Sequence, residues 1–179
     1  MRKIGALVAA LVLLVVVAVP SQAGNWYVGG GIESVALGKD LDSIDPGSGL
    51  TLNFGYRFTP SPIAVDVLWG ASFHEDFGED VIYGRFVIGP KFILISTSSF
   101  QPYLTFGLGG HALEYDNVNY DIEGTSFFLG MGFDYQFNPY HSLGVGLRVH
   151  SWEGEDNFGF TGDVTTTTLS IVYNYHVVP

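Results

Sequence analysis

Residues 127–137 read FFLGMGFDYQF, and the phase of this stretch decides the fold. Phe127, Leu129, Met131, Phe133, Tyr135 and Phe137 alternate with Phe128, Gly130, Gly132, Asp134 and Gln136. Successive side chains of a strand point to opposite sides of a sheet, so this spacing describes a strand with one unbroken apolar face. Helical spacing would scatter the same residues around a cylinder. The opposite face carries glycine, an amide and a carboxylate, which make a poor core. The apolar face therefore needs either a partner sheet or a non-aqueous solvent.

Two neighbouring stretches repeat the pattern. In residues 50–58 (LTLNFGYRF), Leu50, Leu52, Phe54, Tyr56 and Phe58 oppose Thr51, Asn53, Gly55 and Arg57. In residues 63–73 (IAVDVLWGASF), Ile63, Val65, Val67, Trp69, Ala71 and Phe73 oppose Ala64, Asp66, Leu68, Gly70 and Ser72. Weaker runs cover residues 25–33, 82–94, 103–113, 143–152 and 166–176. Together they make eight strands, each near the ~9–11 residues that a tilted membrane strand requires.

Composition points the same way. Hydrophobic residues make up 47% of the 179 and charged residues only 14%, where a soluble domain carries about 25% charged. Met1-Arg2-Lys3, an apolar run over residues 4–19 and Pro20-Ser21-Gln22-Ala23 have the layout of a secretory signal peptide cut after Ala23. The apolar run is shorter than the ~20 residues of a spanning helix. Two segments are therefore expected, a signal peptide over 1–23 and one domain over 24–179. Later residues hold no long apolar run, so lipid would be met by alternation. The net charge of −11 argues against nucleic acid as a partner. Cysteine is absent, which excludes disulfides and thiolate metal sites.

The connectors sort by chemistry. Residues 59–62 (TPSP), 96–99 (STSS) and 138–140 (NPY) are short and uncharged. Residues 36–48, 75–80, 114–124 and 153–163 read as longer acidic loops. They hold Asp40, Asp42, Asp45, Glu75, Asp76, Glu79, Asp80, Glu114, Asp116, Asp121, Glu123, Glu153, Glu155, Asp156 and Asp163. Tight turns at one end and long loops at the other are the plan of a barrel crossing an outer membrane. Closure removes the sheet edge, whose backbone groups would find no partner in hydrocarbon. Eight strands leave an interior just filled by side chains. Gly29, Gly31, Gly55, Gly70, Gly107, Gly109, Gly130, Gly132, Gly144 and Gly146 phase into it.

Trp26-Tyr-Val-Gly-Gly-Gly31, PYLTFGLGG (102–110) and GMGFDYQFNPYHSLGVGLR (130–148) carry a resemblance. Residues 24–179 resemble the eight-stranded outer-membrane barrel domains of the OmpA, OmpX and opacity-protein type. The resemblance implies an all-β, antiparallel up-and-down transmembrane barrel in a Gram-negative cell outer membrane. One departure stands out: such chains finish on an aromatic residue, whereas this one ends Tyr173-Asn-Tyr-His-Val-Val-Pro179.

With phase assigned, the polar residues of GLRVHSWEGED (146–156) fall on two faces. Gly146, Arg148, His150 and Trp152 point inward, and Leu147, Val149 and Ser151 outward. The resemblance raises an outer-membrane lipid A deacylase, whose family places its serine two residues after its histidine. Here that position is Trp152, and His150 and Ser151 lie back to back. A base must come within ~3 Å of the proton it takes, so no enzyme is expected.

Arg57, Asp66, Arg85, Lys91, Asp134, Arg148 and His150, with Glu33, are instead expected to form an interior charge network that plugs the lumen. Buried charges persist only when paired. Strand pairing is expected to set Asp66 between Arg57 and Lys91. His111 and His176 also phase inward as hydrogen-bonded filler.

Asp40-Leu-Asp42-Ser-Ile-Asp45 starts like a calcium loop, but Ile44 and the missing downstream Glu argue against a dedicated site. No cofactor is expected. Trp26, Tyr56, Phe58, Phe137, Tyr140, Tyr173 and Tyr175 would mark the turn-side interface, and Trp69, Phe73 and Tyr83 the loop side.

The function expected is structural or interactive, through adhesion or envelope integrity. The expected partners are outer-membrane lipid, lipopolysaccharide bridged by divalent cations, and a protein at the loops, around a monomer. The alternatives are a narrow channel, the lipid A hydrolase, and a soluble lipocalin-like binder with its apolar face inside.

Overall fold

The computed structural model describes residues 24–116, 120–159 and 161–177, so the expected signal peptide lies outside the described residues. Eight antiparallel strands close into one barrel in chain order: β1 (Gly24–Lys39), β2 (Gly47–Phe58), β3 (Ile63–Asp76), β4 (Glu79–Ile93), β5 (Phe100–Tyr115), β6 (Asp121–Asn138), β7 (His141–Asp156) and β8 (Thr161–Val177). β8 returns to β1, with Trp26 opposite Val177 and Lys39 opposite Val164. No sheet edge remains among them.

The alternation in the sequence becomes an inside and an outside. Phe54, Leu129, Met131, Leu147 and Ile171 are exposed on the barrel exterior, while Thr51, Asn53, Asp66, Arg148 and Ser170 are buried. This orientation excludes the soluble lipocalin-like alternative, whose bulky residues would fill the centre. β6 shows why: with Gly130 and Gly132 facing inward, Leu129, Met131 and Phe133 lie outside.

The strands run 12 to 18 residues, longer than a bilayer crossing needs. This corrects the expectation of long acidic loops at three of the four connections; the first stays a loop, with Asp40, Asp42 and Asp45 between β1 and β2. Only Phe77 and Gly78 separate β3 from β4, and Glu75, Asp76, Glu79 and Asp80 lie on the paired strand ends. Glu114, Asp121, Glu123, Glu153, Glu155, Asp156 and Asp163 are likewise strand residues. The acids ride on a sheet that continues beyond the membrane belt. Sequence could not separate loop from strand there, because charge and turn residues both suggest a loop.

Candidate functional site

The lumen is built in tiers. At the turn-side mouth, a cavity of about 460 Å³ is lined by Asn25, Arg57, Gln101, Gln136 and the turn residues Thr59–Ser61. Arg57 donates to Gln101 at 3.0 Å, and Gln101 donates to Gln136 at 3.1 Å.

Above it Lys91 reaches Asp134 at 2.6 Å and Asp66 at 3.8 Å, with its ammonium 4.1 Å from the centre of the Tyr103 ring. Asp66 accepts a hydrogen bond from the Tyr27 hydroxyl. The expected Arg57–Asp66 contact is absent, and the register explains it. Arg57 sits opposite Ala64, and Gly55 sits opposite Asp66. The missing side chain at Gly55 makes room for the Tyr27 ring, since a Cβ there would lie 2.2 Å from it. Tyr27 thus takes the place expected for the guanidinium.

An apolar contact of Leu68, Val87 and Phe128 follows. The next tier holds Glu33 and Arg85 at 2.6 Å, both side chains fully buried. Arg85 also donates to Thr168 at 3.0 Å, and Arg148 donates to Ser170 at 3.3 Å. Gly70 clears this site: a Cβ would stand 2.7 Å from a Glu33 carboxylate oxygen. His111 contacts Ser126 at 2.6 Å and stacks on Trp152, while His150 packs against Phe128 and His111. Neither ring nitrogen of His150 bonds to a protein group.

His150 is buried and Ser151 exposed, and the ladder runs unbroken through Phe127–Ser151–Thr165. The two cannot share a proton. His176 meets Ser142 at 2.8 Å.

The outer end is closed by a core that the sequence reading missed. Val35, Leu37, Ile44, Val81, Tyr83, Leu113, Ile122, Trp152 and Val164 pack together inside the crown. Tyr83 was expected at the membrane interface. It is instead buried in this core, with its hydroxyl on His111. Ile44, which interrupts the would-be calcium loop, is a core residue, and Asp40 accepts the Asp163 amide at 2.8 Å. Among the described residues no group of three acids or histidines could hold a metal ion.

Backbone bonds tie the crown into a ring: Asp45 to Glu75 (2.9 Å), Asp116 to Asp80 (3.1 Å), Asn157 to Asp121 (3.1 Å) and Asp40 to Asp163 (3.2 Å). Tyr115 donates to Asp76 at 2.8 Å, contacts Tyr120, and Tyr120 stacks on Phe158. Burial and the Asp76 carboxylate push the Tyr115 phenol well up, and burial and Asp156 raise Tyr120. Both phenols stay neutral hydrogen-bond donors. All fifteen acids outside the lumen are in the crown, against one base, Lys39, which lies 3.7 Å from Asp163.

A closed eight-stranded barrel, apolar outside and ionic within, is the architecture of an integral outer-membrane protein. The family model described as "Outer membrane protein beta-barrel domain" matches residues 7–176, and the chain belongs to that family. Neisserial surface protein A shares 19% identity over 84% of this chain and 96% of its own, with a TM-score of 0.68. OprG of Pseudomonas aeruginosa shares 13% over 88% and 97% (TM-score 0.63). Ail, the attachment invasion locus protein of Yersinia pestis, shares 16% over 87% and 100% (TM-score 0.59). No curated protein matches the chain by sequence. The chain is therefore a small barrel of the outer membrane.

Proposed function

We propose that this barrel is a non-catalytic, monomeric surface protein that displays its acidic crown to the exterior, exported after removal of residues 1–23. The observation that carries the reading is the crown itself. Its four connections are stitched by backbone bonds, and a filled apolar core holds it rigid. A preorganised surface loses little entropy on binding. Envelope integrity would follow from the same crown through divalent cations bridging carboxylates to lipopolysaccharide. Ail has been crystallised with the heparin analogue sucrose octasulfate. Polyanions of that kind do not suit a crown whose only base is Lys39.

Cells displaying the native barrel should bind envelope or host surfaces better than cells displaying a variant with Glu75, Glu79, Asp121 and Glu123 changed to amides. Equal binding at equal surface level would overturn the reading. A narrow channel is the second reading, favoured by the mouth cavity beside Arg57. Recordings in a planar bilayer separate the two, with flat conductance expected because the crown core fills the outer lumen.

A further inference from the structure

Phe77 is an anomaly. It forms the tip of the β3–β4 hairpin with Gly78, and both have positive φ (51° and 87°). A two-residue turn of this kind prefers Asn, Asp or Gly at its first position, because a bulky side chain is strained there. Burial does not compensate: Phe77 is 94% exposed, the most exposed large apolar side chain among the described residues. Neither backbone preference nor packing explains a phenylalanine at this point. An unburied aromatic held in a costly conformation marks a contact surface.

It does not stand alone. Asp76, beside it, accepts the Tyr115 hydroxyl, and the rings continue through Tyr120 to Phe158, with centroids 5.5 Å and 6.4 Å apart. Phe158 is 70% exposed. Tyr115 and Tyr120 rest on the crown core, so the strip has a firm base. It joins three of the four crown connections. Its rim is anionic throughout, with Glu75, Glu79, Asp80, Asp116 and Asp121 on the strand ends and connections that carry it.

We propose that this strip docks a basic polypeptide segment bearing aromatic or aliphatic side chains. The proposal rests on the surface-binding role above and names its partner class. Ring faces attract guanidinium and ammonium groups, and the carboxylate rim supplies the opposite charge. A bare cation would leave the phenylalanines unused. An anionic lipid or polysaccharide surface would be repelled unless divalent cations bridged it to the carboxylates, and such bridging would leave the rings unused.

The full barrel in lipid nanodiscs is titrated with the peptide Arg-Trp-Arg-Trp-Arg-Trp, with hexa-arginine and a Ser/Trp peptide of equal length as controls. The mixed peptide should bind saturably at about 0.15 M salt, more tightly than either control. The double variant Phe77→Asn/Phe158→Ser keeps every carboxylate, and its hairpin has a better turn residue, so folding is preserved and checked by heat-modifiable gel migration. It should bind about tenfold more weakly.

Equal affinity of variant and native barrel, or equal binding of hexa-arginine, overturns the proposal. The same double variant enters the cell-surface assay. Surface binding lost only with the acids sinks the aromatic strip as the docking site and leaves the display role standing. Binding indifferent to both sets sinks both.

Discussion

The membrane belt and the crown are one continuous sheet with opposite polarity. In the belt, Leu129, Met131 and Leu147 face out, and Lys91, Glu33 and Arg148 face in. A few residues further along the same strands, Glu123, Glu153 and Glu155 face out, and Ile122, Trp152 and Val164 face in. From belt to crown the alternation keeps step: β7 runs from Leu147 to Glu155 with its phase intact. What changes is the solvent. Lipid takes the apolar side chains and drives ions into the lumen, whereas water takes the carboxylates and drives apolar groups into a conventional core. A single two-residue period thus encodes a membrane protein below and a soluble barrel above.

The hardest blow to this arrangement is an unpaired ion in the belt interior. Glu33→Ala strands the Arg85 guanidinium, and removal of one partner of a buried pair costs about 3–5 kcal/mol. Urea unfolding of the barrel refolded in vesicles should show that loss. The double variant Glu33→Gln/Arg85→Met should recover most of it. A double variant as weak as the single would mean that Arg85 matters through shape rather than charge.

The next test compares outward positions. Leu129 is 60% exposed in the belt, and Leu129→Lys should cost about 2–4 kcal/mol, the penalty for a cation on the lipid face. Glu155→Lys, outward on the crown, should stay within about 0.5 kcal/mol. Equal costs at the two sites would erase the distinction between belt and crown.

A smaller effect belongs to the joint between crown and loop. His74, opposite Val81 of the crown core, contacts Ser72 at 2.8 Å and the Asp45 carbonyl at 2.9 Å. Burial lowers its pKa below the ordinary imidazole value, partly offset by the Asp45 bond. Folding therefore favours the neutral ring. That contribution is complete above about pH 6.5 and is lost as pH falls below it, when the unfolded chain takes up the proton more readily. Amide exchange at Asp45, whose N–H bonds to Glu75, should quicken relative to Asn53 of the belt between pH 7 and pH 5.5, after correction for intrinsic rates. An unchanged ratio would remove His74 from the latch.

The belt was legible in the sequence because its signal is redundant. In residues 127–137 each outward position is apolar, and each inward one but Phe128 is small or polar. The crown was not, because there acids and turn residues dilute the pattern, and the nine inward members, Val35, Ile44, Val81, Ile122 and Val164 among them, are spread over six strands and a loop. Val81-Ile-Tyr83 shows the difficulty: Ile82 faces out and Tyr83 in, yet both suit a membrane interface. The lumen pairs were half legible. Phase placed Arg57, Asp66 and Lys91 inside, but the winning contact to Asp66 came from Tyr27 on β1, across a gap that only Gly55 leaves open. Strand phase gives direction, and reach is settled by what the neighbours omit.

The smallest prediction separates folding from function within the crown. Phe77 at φ 51° carries a left-handed strain of about 1 kcal/mol that no packing offsets. Phe77→Gly or Phe77→Asn should therefore stabilise the hairpin by about 0.5–1 kcal/mol, a direction opposite to nearly every other apolar-to-polar change in the barrel. Slower proteolysis of the hairpin, read by mass spectrometry of the cut site, would register it. Faster cleavage would show that Phe77 packs against something in the free protein that offsets its backbone strain. A variant that is more stable yet binds less would place Phe77 among residues kept for contact rather than for the fold.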